Sequence, residues 1–286
     1  MKKKLAEESQ LFLLKKNYLV KALHYCFDIL ARKGTQVLLV KVLHDINAMN
    51  EQAALEMEKI ASFFSASPMI IADKSSSWLL DNVVYSSFGI NVLNFSTFKN
   101  CIDNKFPFVK ASKSGLVVSV NSSSLKSLME KENVSPGALS KKVGVSNRAI
   151  LKYEKGSPIS IQKARRLYSI FGKEVFNPIN IFSPYEKPEI EAKLYATKKF
   201  GQLGFNASDV HKAPFDVIAK KEKELVLTKV GDKLDKNLDV VSKLLEADDL
   251  IIFSKKKPKK IPALTKEEFL EFKKAKELIK FLKEFD

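Results

Sequence analysis

Two distant stretches of the chain carry one pattern, and it constrains the fold more than any other feature. FDILARKGTQVLLVKVL begins at Phe27 and FDVIAKKEKELVLTKVG at Phe215. Phe27-Asp28 aligns with Phe215-Asp216 and Lys41 with Lys229 at one offset of 188 residues, so Asp and Lys keep the separation D-x12-K in both. Each run reads as a strand, a turn and a second strand, with the first turn at Gly34-Thr35. Leu11, Leu14, Leu19 and Leu23 predict a helix over 9–24 ahead of the first run, and residues 190–203 predict one ahead of the second. After the first run, Asn50 is expected to cap a helix ending near Phe64, followed by a buried strand at 68–72. After the second come a helix at 234–245 and a strand at 250–253. Ser96 is expected to cap a short helix containing Phe98, as Thr265 caps one containing Phe269. A repeat on this scale predicts a duplicated α/β domain, and each copy has to be judged as one unit.

Between the copies lies a segment of another kind. In SPGALSKKVGVSNRAILKYEKG, residues 135–156, Ser135 is an N-cap candidate and Pro136 fits the first helical turn. Ala138, Leu139 and Val143 give the first helix an apolar stripe, and Gly144 ends it in a conformation cheap only for glycine. Ser146 caps a second helix in which Ile150 and Leu151 are expected to face inward. Asn147, Arg148, Lys152 and Lys155 face out, and Gly156 closes the helix. A preceding helix, 124–131, and a following one, 161–171 with Ser160 as its cap, complete an all-α module over 122–176. Two short helices joined by a Gly turn are the layout in which a second helix enters a DNA major groove.

Charge supports that reading by its distribution. The chain carries +16, and residues 122–173 hold eleven Lys/Arg against three Glu, which is half the excess in under a fifth of the length. They include Arg148, Arg165 and Arg166, three of the four arginines. A local basic patch on a helix-turn-helix is an electrostatic footprint for phosphate. Other classes of function lack support. No apolar run reaches the roughly 18 residues of a membrane span, so no membrane association and a cytoplasmic location are expected. Cys26 and Cys101 read as reduced core residues. His24, His44 and His211 show no metal-ligand spacing, so no metal or cofactor is expected.

The run L-S-K-K-x-G-V-S-x-x-x-I-x-x-Y-E-x-G, carried by Leu139, Ser140, Gly144, Val145, Ser146, Ile150, Tyr153, Glu154 and Gly156, resembles the Cro/C1-type (lambda-repressor-like) helix-turn-helix. Ser140 stands where that family usually has Ala. The resemblance implies double-stranded DNA as partner, a homodimer, base contacts from Asn147 and Arg148, and phosphate contacts near Ser135, Ser146, Lys152 and Lys155. The flanks resemble restriction-endonuclease-like nucleases and Holliday-junction resolvases, which carry Asp and then Glu-x-Lys on neighbouring strands. Here Lys41 and Lys229 match the Lys, but Leu39 and Leu227 stand at the Glu position, and an apolar side chain cannot ligate magnesium.

Asp28, Lys41, Asp216 and Lys229 therefore have four readings: a structural ion pair, a residual nucleic-acid or partner contact, active nuclease chemistry, or coincidence. The domain order as a whole resembles archaeal transcriptional regulators of the Cro/C1 class. The expected boundaries are a degenerate nuclease-like domain at 1–121, the helix-turn-helix domain at 122–176, a linker at 177–188 and a second degenerate domain at 189–286. The expected function is sequence-specific regulation of transcription without catalysis. A metal-dependent nuclease with a targeting module is the alternative, and a partner-binding scaffold or antitoxin a third. Operator and effector are not readable. The lysine-rich run at 255–260 reads as a solvated loop or a phosphate contact, and the apolar face of a helix at 266–285 as the cover of the last sheet.

Overall fold

The computed structural model describes residues 2–185, 190–233, 235–255, 258 and 261–284. The chain forms two compact units, Met1–Ile70 with Phe182–Asp286, and Ile71–Ile181. It begins with α1 (Lys2–Lys15), β1 (Leu19–Ala22), β2 (Ile29–Lys33), β3 (Gln36–Asp45), α2 (Glu51–Phe64) and β4 (Ser67–Lys74). The second unit holds β5 (Val83–Ser87), β6 (Ile90–Leu93), α3 (Phe95–Ile102), β7 (Val109–Ser112) and β8 (Gly115–Ser119). It continues with α4 (Ser122–Lys131), α5 (Pro136–Val143), α6 (Asn147–Tyr153), β9 (Pro158–Ser160) and α7 (Ile161–Phe171). The chain then rejoins the first unit with α8 (Tyr195–Gln202), β10 (Asn206–Asp209), β11 (Val217–Lys221), β12 (Glu224–Val230) and α9 (Leu238–Leu245). It ends with β13 (Asp248–Phe253), β14 (Ala263–Thr265), α10 (Lys266–Glu271) and α11 (Ala275–Lys283).

In the first unit, strands run in the order β1-β2-β3-β4 in one sheet and β10-β11-β12-β13-β14 in the other. β2 and β3 form a hairpin with Lys33 opposite Gln36, so the turn has two residues, and Gly34 supplies its positive φ of 57°. β11 and β12 repeat this with Lys221 opposite Glu224, and β12 pairs with β13 in parallel. Asn50 caps α2 by accepting from the Ala53 amide at 2.8 Å, and Thr265 caps α10 in a reciprocal box with Glu268.

Helix α2 packs on β11, while α9 packs on β1 and β2. The contact is reciprocal in detail. Arg32, on β2, donates to the Leu244 carbonyl at 3.1 Å and pairs with Glu246 at 2.7 Å, at the C-terminus of α9. Lys220, at the matching place on β11, donates to the Phe63 carbonyl and to Ser65 Oγ, both at 2.9 Å, at the C-terminus of α2. Both helices end in a left-handed residue, Ser65 and Glu246. A cation at a helix C-terminus meets the open carbonyls and the negative end of the dipole. Phe64 and Phe215 add a ring contact at 6.1 Å between the same faces.

Several expectations are corrected. The helix expected over 9–24 is instead α1 over Lys2–Lys15, followed by strand β1. Its buried stripe is Leu5, Ser9 and Leu13; Leu11, Leu14 and Leu19 are exposed, and Asn17 at φ 62° breaks the helix. Asn94, not Ser96, caps α3, accepting from the Thr97 amide at 2.8 Å. Ser160 stands at the N-cap of α7 but its side chain makes no capping bond; it belongs to β9, paired to β8. The helices expected over 190–203 and 234–245 are the shorter α8 and α9, and Leu234 lies outside the described residues. The helix expected over 266–285 is broken into α10 and α11 at Phe272, whose φ and ψ of −57° and 128° are not helical. Of the run at 255–260, only 255 and 258 are described; Phe285 also lies outside the described residues.

Candidate nucleic-acid interface

The two helices at the centre of the second unit are built by their caps. Ser135 Oγ accepts from the Ala138 amide at 3.2 Å and Ser146 Oγ from the Ala149 amide at 3.3 Å. Gly144 ends α5 at φ 70°. From the far side α7 holds this turn, with Lys163 Nζ donating to the Gly144 carbonyl at 2.7 Å and Arg166 to the Val143 carbonyl at 3.1 Å. Leu125, Leu139, Val143, Ile150, Ala164, Leu167 and Phe171 form the core behind. β9 pairs with β8, and Val120 bridges to Phe176, so the helical module is tied at both ends to the β7-β8 hairpin.

This arrangement leaves one face of α6 open. Asn147, Arg148, Leu151 and Lys152 are exposed along it, with Lys155 just beyond and Ser135 and Ser146 exposed at the two N-termini. Leu151, expected inside, is 50% exposed. It stands three residues after Arg148 and thus on the same helical stripe, where an apolar side chain can meet a thymine methyl. Sequence spacing missed it because Ile150 alone fills the inward position.

The Asp and Lys of each flank do meet. Asp28 is buried; its Oδ2 accepts from the Val42 amide at 2.8 Å, and Lys41 Nζ lies 3.5 Å from the carboxylate while donating to the Tyr25 carbonyl at 3.0 Å. Lys2 adds a third approach at 3.4 Å. Asp216 repeats the pattern, accepting from the Val230 amide at 2.8 Å and from Lys229 Nζ at 2.8 Å. The aspartate thus ties its strand to the next one and balances the lysine. Leu39 and Leu227 are fully buried, two residues before the lysines and on the same strand faces. At each site the motif's second carboxylate is replaced by leucine and the aspartate is already bonded to an amide and a lysine, so these motif residues do not fit the divalent ion that the nuclease fold implies.

A second polar cluster joins the two halves of the first unit. Glu56, Glu191 and His211 bring ligand-type atoms within 4.8 Å of one another. Lysines already hold both carboxylates: Lys59 lies 2.7 Å from Glu56 and 3.4 Å from Glu191, and Lys193 2.7 Å from Glu191. Hydrogen bonds from Lys193 and His211 hold the Glu191 carboxyl down at about 2. Burial pushes the thiols of Cys26 and Cys101 up to about 12, which leaves both unreactive.

Two family models match parts of the chain. A model of the PD-(D/E)XK superfamily domain matches residues 2–107, and a helix-turn-helix model matches residues 125–175. A curated protein of Archaeoglobus fulgidus named "Putative HTH-type transcriptional regulatory protein" is 30% identical, over 91% of this chain and 89% of its own length. One of that name from Thermococcus gammatolerans is 28% identical over 90% and 87%, and one from Methanosarcina barkeri is 34% identical over 72% and 69%.

The chain belongs to this family of archaeal HTH-type regulators. No solved structure matches it. In this chain the matched helix-turn-helix coincides with the segment of concentrated positive charge. No helix among the described residues is long and apolar enough to cross a membrane.

Proposed function

We propose that this protein regulates transcription by binding particular double-stranded DNA sequences, with α6 in the major groove, and that it cleaves nothing. The observation that carries the reading is the open face of α6. It is held by two capping serines and by α7, and it presents Asn147 and Arg148 at its N-terminal end. The N-terminal residues of such a helix reach base edges; Arg pairs bidentately with guanine and Asn with adenine. Leu151 adds an apolar contact, while Ser135, Ser146, Lys152 and Lys155 serve phosphates. The hydroxyls of the two serines already accept helix amides but keep a proton to donate. Selection of bound duplexes from a random pool tests the reading: a recurrent motif supports it, and an unenriched pool refutes it.

The flanks we read as two copies of one PD-(D/E)XK fold, with the helix-turn-helix module between them in sequence. The shared strand order, the twin Asp–Lys ties and the reciprocal capping by Arg32 and Lys220 support duplication. Asp28, Lys41, Asp216 and Lys229 then act as structural ties inherited from a catalytic site. The nuclease alternative is tested by incubating the protein with magnesium or manganese and duplex or branched DNA; turnover lost in Asp28→Ala or Asp216→Ala would restore it.

Each chain has one recognition helix, which reads half of a two-fold site, so two chains are expected on the DNA. The faces of α2 with β11 and α9 with β2 are spent within the chain, so the second chain has to join elsewhere. The protein is expected to work in the cytoplasm, with the DNA.

A further inference from the structure

Helix α7 has a second face that the helix-turn-helix does not use. Lys163 and Arg166 point to the turn after α5, whereas Ile161, Arg165 and Tyr168 follow helical spacing along the opposite side. There they wall a cavity of about 410 Å³ with Phe108 and Phe176. Its lining is almost wholly apolar, and three exposed residues with polar ends, Arg165, Tyr168 and Lys173, take part in it. Among the described residues neither cation has a carboxylate or hydrogen-bond partner. An open cleft in the size range of small-molecule sites, lined by apolar groups and carrying two exposed cations, complements a ligand with an apolar body and an acidic group.

We propose that this cavity binds a small amphipathic organic anion, an aryl or acyl carboxylate or a chemical equivalent. Its apolar part would lie between Phe108, Tyr168 and Phe176 and its acid on Arg165 and Lys173. The ligand would then stand one helix away from the turn that orients α6. A second copy of the chain would not leave both cations unpaired in an apolar interface without a carboxylate to meet them.

The test uses the full chain and two dyes with the same rings, 8-anilino-1-naphthalenesulfonate and the uncharged N-phenyl-1-naphthylamine. Fluorescence titration is expected to show saturable binding of the sulfonate at one site per chain. The double variant Arg165→Gln/Lys173→Gln changes only exposed side chains and so retains the fold. It is expected to weaken the sulfonate by about tenfold or more, the equivalent of one charge-assisted hydrogen bond, and to leave the neutral dye unchanged. Equal sulfonate affinity in the variant, non-saturating binding, or binding lost as the chain self-associates would each overturn the proposal. None of these readouts involves DNA, so they stand apart from the proposed regulatory function.

Discussion

Lys152 lies one helical turn beyond Arg148 on the open face of α6, and the two side chains are expected to behave differently. A lysine at a phosphate carries no sequence information. Lys152→Ala is expected to weaken specific and non-specific duplexes alike and to lower the slope of log K against log salt by about one. An unchanged slope would show that Lys152 does not touch phosphate. Asp28 makes the opposite kind of claim, that a catalytic-looking residue is structural. Its carboxylate satisfies the Val42 amide, so Asp28→Ala is expected to cost about 1–3 kcal/mol in denaturant unfolding. Unchanged stability would remove the structural role. Single residues were legible in sequence where local chemistry decides them. Ser135, Ser146, Asn50 and Thr265 cap as spacing predicts, because a cap needs only its own next turn. Leu151 and Ser96 were not, because packing at Ile150 and a competing Asn94 settle them.

At the scale of elements, the ion-pair network on α2 shows what sequence cannot give. Glu56 and Lys59 are one turn apart, which reads as an ordinary surface pair, yet both are buried under β10 and the loop after it: Lys59 donates to the Asp209 carbonyl and Glu56 accepts from the His211 amide. Lys59→Met strands the Glu56 carboxylate and is expected to cost about 3–5 kcal/mol, with Glu56→Gln recovering part of the loss in the double variant. A loss of under about 1 kcal/mol, the range of exposed pairs, would contradict the burial.

Glu191 adds a pH dependence. Its carboxyl titrates lower in the folded than in the unfolded chain, so its contribution is complete above the ordinary Glu range and is lost as pH falls from about 4.5 toward about 2. Thermal melts across that window should lose less Tm in Glu191→Gln than in wild type; parallel curves would contradict this. Strands β2, β3 and β13 were legible from their apolar runs. The short edge strands β9 and β10 were not, since three or four residues at an edge are chosen by their neighbours' open amides rather than by their own pattern.

For the whole molecule, the sequence led to a mixed α/β architecture with a nuclease-like N-terminal domain, but not to how its parts pair. No spacing announces that Arg32 will close α9 or that Lys220 will close α2. Such contacts exist only once two surfaces are brought together. They also occupy the faces of α2 with β11 and of α9 with β1 and β2 within the chain. Light scattering on the free protein and on a selected duplex is expected to show two chains on two-fold symmetric DNA. A single chain bound to one non-symmetric half-site would rule this out.

The central claim, that the exposed N-terminal end of α6 reads base sequence, is tested most directly by competition binding of wild type and Arg148→Ala to a selected duplex and to its scrambled counterpart at one salt concentration. The loss is expected on the selected duplex, about 1–3 kcal/mol, with relaxed preference at one or two positions and little change on the scrambled one. An equal loss on both duplexes, or none on either, would contradict the account.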